Sequence, residues 1–294
     1  MTTPTTIALL GAGGTMGLPM ARNLAEAGFS VRAWNRSAER AQPLAEDGVQ
    51  LTASPAEAVR GASVILTMLS DADAVLDVMQ GADGALAALA DDVVWLQMST
   101  IGIAGTERCA ELAEQHGVAL VDAPVLGTKA PAEQGKLVVL ASGPDAVRDR
   151  ADPIFDVVGA RVMWLGEAGA GTRLKLAINA WILAVVEGAA ESLALAEGLG
   201  LDPSLVLEAV AGGPLDLPYL QMKGKAMIAR DFEPSFRLAL AAKDAGLAEA
   251  AAADLGLDLP LVAAIRRRFD AASVEHGDKD MSATFLASSN RPPA

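Results

Sequence analysis

The strongest constraint on the fold lies in the first thirty-odd positions. A short apolar run, Thr6–Leu10, stops at the cluster Gly11-Ala12-Gly13-Gly14-Thr15-Met16-Gly17. Apolar residues then recur at helical spacing (Met16, Met20, Leu24, Ala27), with Pro19 in the first turn and Gly28 as a stop. A second apolar run, Ser30–Trp34, follows at once. Strand, tight turn, helix and strand within residues 6–34 predict a βαβ unit. A glycine turn between a buried strand and a helix lets backbone N–H groups approach a pyrophosphate at the positive end of the helix dipole.

The alternation continues. Residues 63–69, 93–98, 119–121, 137–141 and 162–165 read as strands, separated by helical stretches such as 71–79 and 103–116. A helix is also expected after Ser37, with Pro43 kinking it. Near-continuous apolar strands alternating with helices predict an α/β, Rossmann-type, doubly wound parallel sheet. Beyond Gly166 the strand signal ends, and the chain reads as helices: a long one over residues 169–198, then shorter ones punctuated by Gly212-Gly213-Pro214, Pro234 and Pro260. The expected division is a nucleotide-binding domain over residues 1–165 and an all-helical substrate and oligomerisation domain over 166–294, joined by the long interdomain helix. Only the final SSNRPPA is expected to be disordered.

Composition narrows the function classes. The 294 residues carry 23 Lys and Arg against 37 Asp and Glu, a net charge of −14. Phosphate backbones need a basic surface, so nucleic acid is disfavoured as a partner. One cysteine, Cys109, excludes an internal disulfide, and only two histidines remain, so no Cys- or His-rich metal site is expected. The longest apolar run tested as a membrane span, residues 175–187, falls short of the ~20 residues a bilayer requires. The amino terminus lacks a basic n-region. The expectation is a soluble, acidic, cytoplasmic protein acting on a small molecule.

The glycine cluster nominates Gly11, Gly13, Gly14, Thr15 and Met16 as cofactor contacts, although its G-x-G-x-x-G spacing is off by one, with Met16 where glycine is wanted and Gly17 a residue later. At the end of the second strand stand Asn35, Arg36 and Ser37. An acid here would accept from the ribose 2′-hydroxyl of NAD; Arg36 instead offers a guanidinium to a 2′-phosphate, with Asn35 and Ser37 adding hydrogen-bonding groups. A helix cap at Ser37 beside a solvated Arg36 would look the same. NADP(H) is the expected cofactor.

A second glycine-rich turn, residues 166–171, precedes a helix bearing Lys175 and, four residues on, Asn179, both on one face. A lysine near a helix amino terminus and an oxidised nicotinamide would have its pKa depressed towards the range useful for proton transfer. A surface lysine that snorkels fits the same pattern.

Four blocks in chain order carry a resemblance to a known family. They are the turn continuing as Thr15-Met16-Gly17-Leu18-Pro19-Met20-Ala21-Arg22-Asn23-Leu24; Met98-Ser99-Thr100; Asp122-Ala123-Pro124-Val125-Leu126-Gly127-Thr128 with Ala132 and Gly135; and the lysine block, followed by Phe236-x-Leu238-x-Leu240 and Lys243-Asp244. Together they resemble the β-hydroxyacid dehydrogenases, the 3-hydroxyisobutyrate dehydrogenase-like family related to 6-phosphogluconate dehydrogenase and the imine reductases.

The resemblance implies hydride transfer between NADP(H) and a small β-hydroxyacid or its aldehyde, with Lys175 as general acid and base and Asn179 holding the substrate. It places Thr100 beside nicotinamide and substrate, Met68 and Leu69 along the cofactor, Leu126, Gly127 and Thr128 in the substrate grip, and Phe236, Lys243 and Asp244 where the helical domain closes the site. Lys243 also fits a surface lysine. A homodimer or homotetramer through the helical domain is implied too.

The departures are specific. Leu126 stands where the family usually has a carboxylate-gripping serine, Thr128 where it has a second glycine, Ile178 where it has a further asparagine, and Gln97 where an aspartate often precedes Met-Ser-Thr. Losing one hydrogen bond to a carboxylate costs about 1.5–3 kcal/mol, so a more apolar pocket, taking a less charged carbonyl, is expected. An imine reductase is the alternative enzyme, disfavoured by the presence of Lys175; a non-catalytic NADP-binding protein is the alternative of another class.

Overall fold

The computed structural model describes residues 5–289. They form two compact units that divide between Lys175 and Leu176.

The first unit runs β1 (Thr6–Leu10), α1 (Gly17–Glu26), β2 (Ser30–Trp34), β3 (Gln50–Leu51), α2 (Pro55–Val59), β4 (Val64–Thr67), α3 (Ala72–Gln80), β5 (Val94–Gln97), α4 (Gly102–Gln115), β6 (Ala119–Asp122), β7 (Val125–Leu126), α5 (Lys129–Glu133), β8 (Leu137–Ala141), α6 (Arg148–Val158) and β9 (Gly159–Trp164). Six strands pair in parallel in the order β3-β2-β1-β4-β5-β6. Alternation along the strands divides their side chains between two buried layers. Ile7, Leu9, Leu66 and Leu96 pack with Met20 and Leu24 of α1, whereas Ala8, Leu10, Ile65 and Trp95 pack with α3 and α4. With helices on both faces, every residue of β4 and β5 is buried, which is why these segments are apolar without the alternation of a half-exposed strand.

Three readings of this region change. The strands expected over residues 137–141 and 162–165 do not extend the parallel sheet; as β8 and β9 they form a second, three-stranded sheet with β7, which lies antiparallel to β8. The chain runs on from Asp122 into β7 in one antiparallel register with the β8 segment (Asp122 opposite Ser142, Val125 opposite Val139) and turns back only between Leu126 and Leu137, so β8 and β9 run opposite to β6 and cannot continue the parallel order. After Ser37 there is no kinked α-helix but two short 3-10 turns, Ala38–Arg40 and Gln42–Ala45. Pro43 lies in the second, where it has no N–H to give a longer helix, and the Ser37 side chain makes no capping bond.

In the second unit are most of α7 (Ala170–Gly198), α8 (Ser204–Val210), α9 (Pro218–Ala229), α10 (Leu238–Asp254), α11 (Pro260–His276) and a closing 3-10 segment, Met281–Ala287. Small residues decide its packing: Ala241, Ala245 and Ala248 of α10 are buried, and α10 lies along α11, which contributes Ile265 and Phe269 to the core. The unit boundary falls inside α7, between Lys175 and Leu176, where the expected division was between residues 165 and 166.

Two further expectations are revised. By length and composition α7 is apolar enough to cross a bilayer, with mean hydropathy 1.4 over 18 residues. A core helix passes the same test, and α7 contributes Leu183, Val186, Ala190 and Leu193 to the core of the second unit. Of the carboxyl-terminal SSNRPPA, only Ser288 and Ser289 lie within the described residues. The Ser289 hydroxyl donates to Glu197 Oε2 at 2.8 Å and accepts from Arg230 at 3.0 Å, so Ser289 is held in place; the rest of the segment lies outside the described residues.

Candidate active site

In a sheet of this order the strand connections reverse direction between β1 and β4, and the crevice beyond their carboxyl ends is where such sheets bind dinucleotides. The glycine turn sits there. Gly11 has φ +100°, and a Cβ on it would overlap the Met68 carbonyl oxygen. A Cβ on Gly17 would overlap the Gly11 carbonyl oxygen. Gly17 is therefore the residue that lets α1 press onto the turn, the task of the third glycine in the fingerprint. Gly11, with its positive φ, makes the tight turn that the first glycine of the fingerprint makes, so the stretch from first to last glycine is one residue longer here than in G-x-G-x-x-G.

The Gly13 N–H donates to Asn35 Oδ1 at 3.0 Å, and Asn35 Nδ2 donates to the Ser37 carbonyl at 2.8 Å. Asn35 thus ties the turn to the segment after β2. Thr15 and Met16, half-buried, lead into the amino terminus of α1. Arg36 is exposed at the end of β2. Arg40, also exposed, was missed by sequence reading; its Cβ lies 2.8 Å from where a Cβ on Gly13 would stand. Only the 3-10 turn at Ala38–Arg40 brings it back beside the glycines.

Met68 and Leu69, half-buried, follow β4, and the Leu69 N–H donates to Ser99 Oγ at 2.9 Å. Thr100, also half-buried, comes next after Ser99 at the end of β5.

The first turn of α7 is pinned by a buried polar knot. Asp122, at the end of β6, accepts from the Thr172 N–H at 2.8 Å, the Thr172 hydroxyl at 2.7 Å and the Ser142 hydroxyl at 3.2 Å. Burial pushes its carboxyl above the ordinary range, against the lowering effect of those donors. The Gly171 N–H donates to Ser142 Oγ at 2.9 Å, and a Cβ at Gly171 would overlap the Leu140 carbonyl. Lys175 follows one turn later, only 8% exposed, its Nζ donating to the Val125 carbonyl at 2.8 Å. That carbonyl belongs to β7, whose second residue is half-buried Leu126. Gly127, with φ +123°, and Thr128 continue into α5.

One helical turn beyond Lys175, Asn179 is 1% exposed. Its Nδ2 donates to Asp244 Oδ2 at 2.7 Å, and Lys243 Nζ lies 2.9 Å from Asp244 Oδ1. Asp244 therefore sets the orientation of the amide, and Asn179 Oδ1 is left buried with no hydrogen-bond partner among the described residues. Phe236 packs against the core of the second unit, and its N–H donates to Asp280 Oδ2 at 3.1 Å. The sequence-nominated residues thus fall into groups: the glycine turn with Asn35, Arg36, Met68 and Leu69; Thr100 beside Ser99; Lys175 against Val125; Asn179 with Asp244 and Lys243; and Phe236 on Asp280. Among the described residues no group of three or more His, Cys, Asp or Glu is placed to hold a metal ion.

Residues 6–166 match the NAD binding domain of 6-phosphogluconate dehydrogenase, and residues 169–287 match the NAD-binding domain of NADP-dependent 3-hydroxyisobutyrate dehydrogenase. Glyoxylate/succinic semialdehyde reductase 1 of Arabidopsis thaliana is 34% identical over 275 residues, 93% of this chain and 95% of that protein. The 2-hydroxy-3-oxopropionate reductase of Escherichia coli (strain K12) is 32% identical over 93% of this chain and 94% of that protein. The solved Mycobacterium tuberculosis 3-hydroxyisobutyrate dehydrogenase superposes with a TM-score of 0.86 at 31% identity, covering 97% of this chain and 99% of that one. With the sheet order, the glycine turn and both family domains in agreement, the chain belongs to the β-hydroxyacid dehydrogenase family and is an NAD(P)-dependent oxidoreductase of the 3-hydroxyisobutyrate dehydrogenase type.

Proposed function

We propose that this enzyme is an NADP(H)-dependent reductase of small, weakly charged carbonyl compounds, with Lys175 as its general acid and base. The glycine turn fits a dinucleotide, because side chains are excluded from it at Gly11 and Gly17 and it opens onto the amino terminus of α1. Arg36 and Arg40 would hold the 2′-phosphate: no acid stands at the end of β2, and two guanidinium groups flank the turn. When bound, the reduced nicotinamide supplies the hydride.

Lys175 Nζ then donates a proton to the carbonyl oxygen as it gains negative charge, and takes it back from the hydroxyl in the reverse direction. The Val125 carbonyl holds the amine in place. Asn179 Oδ1, buried and unpartnered, is an acceptor for a substrate hydroxyl.

The state of Asn179 carries the substrate reading. One of its two amide N–H groups is engaged by Asp244, so at most one remains for a carboxylate. Leu126 and Ile178 stand where the family resemblance implies two more polar groups. The favoured substrates are neutral aldehydes or ketones, with cyclic imines as a comparison arm. The test compares kcat/KM for methylglyoxal-type aldehydes with that for succinic semialdehyde; a large preference for the carboxylated aldehyde overturns the substrate reading. A Lys175→Ala variant should bind NADPH and lose turnover, and unchanged turnover removes Lys175 from the mechanism. NADPH binding by wild type without turnover on any carbonyl favours a non-catalytic role. Pairing of two copies through the helical unit is part of the same proposal, supported by exposed Trp181, Leu195, Leu199 and Leu205, and analytical ultracentrifugation tests it.

A further inference from the structure

We propose that Gln97 is a positioning residue that sets the backbone lining the nicotinamide half of the cofactor site; this inference rests on the cofactor reading above. Gln97 ends β5 and is fully buried. Its Oε1 accepts from the Ser99 N–H at 2.8 Å and from the Thr67 hydroxyl at 3.3 Å, while its Nε2 donates to the Ser99 carbonyl at 2.8 Å. One amide thus grips both backbone groups of a single residue, fixing the peptide that leads into Thr100.

The constraint passes on to the neighbouring strand. Ser99 Oγ accepts from the Leu69 N–H at 2.9 Å and donates to the Thr67 carbonyl at 3.3 Å. Thr67 Oγ1 is held in turn by the Trp95 indole N–H at 3.0 Å. Thr67, Trp95, Gln97 and Ser99 are at most 1% exposed. A buried polar network in which each member has its partners specifies one geometry. The amide of Gln97 supplies both the donor and the acceptor that this grip uses, whereas an ionised carboxylate cannot donate to the Ser99 carbonyl and an apolar side chain can neither donate nor accept.

Location gives the network its role. Leu69 and Thr100 stand at the carboxyl ends of β4 and β5, whereas Arg36 stands at the end of β2, on the other side of β1. A dinucleotide crossing a doubly wound sheet places its two halves on those two sides. Gln97 therefore governs the half opposite the 2′-phosphate.

The test uses the full chain carrying Gln97→Leu or, as the milder change, Ser99→Ala, which deletes one hydroxyl. Each is titrated with NADPH and with adenosine 2′,5′-bisphosphate, which has no nicotinamide, and kcat and KM for NADPH are measured. A reactive group displaced by about 1 Å loses up to ~100-fold in rate, so NADPH affinity and kcat/KM should fall about tenfold or more while bisphosphate affinity stays within about twofold. Equal losses for both ligands, or none for either, overturn the proposal. A wild-type chain that binds neither NADPH nor NADH overturns the cofactor reading itself, and this inference with it.

Discussion

Replacing Lys223 by methionine isolates a buried charge whose stability contribution can be worked out. Lys223 Nζ meets both oxygens of Asp280 at 2.7 and 2.8 Å, with each side chain 4% exposed. Asp280 also accepts from the N–H groups of Ser235, Phe236 and Ser282 and from the hydroxyls of Ser235 and Ser282. Burial alone would raise its pKa, but the Lys223 charge and these donors bring it from 3.8 down to about 2. At about 1.4 kcal/mol per unit, this contributes on the order of 2 kcal/mol to folding. Because the folded value is lowered, the contribution is complete above the unfolded pKa and is lost as pH falls from about 4 towards about 2. Methionine keeps the stem and removes the charge, leaving a buried carboxylate with its remaining donors. Breaking a buried pair costs about 3–5 kcal/mol, and five retained donors put the expected loss near about 3 kcal/mol. Urea denaturation followed by far-UV circular dichroism at pH 7 reads the loss, and an acid titration should show unfolding of the variant at higher pH. Adding Asp280→Asn should recover part of the stability. A loss below about 1 kcal/mol at pH 7, or superimposable acid-unfolding curves, would refute the reasoning.

Other outcomes are equally concrete. Arg36→Glu should weaken NADPH binding about 10- to 100-fold, from the loss of about 1.5–3 kcal/mol in charged hydrogen bonds, and leave NADH binding nearly unchanged; equal losses for both would remove the 2′-phosphate from its task. Gly17→Ala forces a Cβ into the Gly11 carbonyl and should cost about 1–3 kcal/mol as overpacking and weaken NADPH binding; unaltered Tm and Kd would show that the turn has room. Burial pushes the Cys109 thiol up to about 12, so at pH 8 it should resist a thiol reagent until urea is added, and fast stoichiometric labelling of the native chain would contradict its placement.

The polar network of the candidate site was the least legible part. Lys175 and Asn179 were found because their spacing shares a helix face, a local property. Nothing local links Asn179 to Asp244 or Asp122 to Thr172, pairs 65 and 50 residues apart, yet those bonds decide which amide atom is left open and how the first turn of α7 is held. Arg40 was hidden because a helix was expected where two 3-10 turns form. Gln97 registered only as a departure from a resemblance, and its double grip on Ser99 emerges once β4 and β5 lie side by side.

The sequence by itself determined the βαβ start, the glycine turn, the run of buried strands and the change to helices after Gly166, because apolar period and turn chemistry act between near neighbours. The tertiary structure alone decided that β8 and β9 leave the main sheet, that Gly17 and not Met16 closes the turn, and that Asn179 presents an acceptor. Those outcomes depend on which distant segments meet, and a chain's local preferences do not encode the contacts that form only when the sheet closes and its polar groups must find partners away from water.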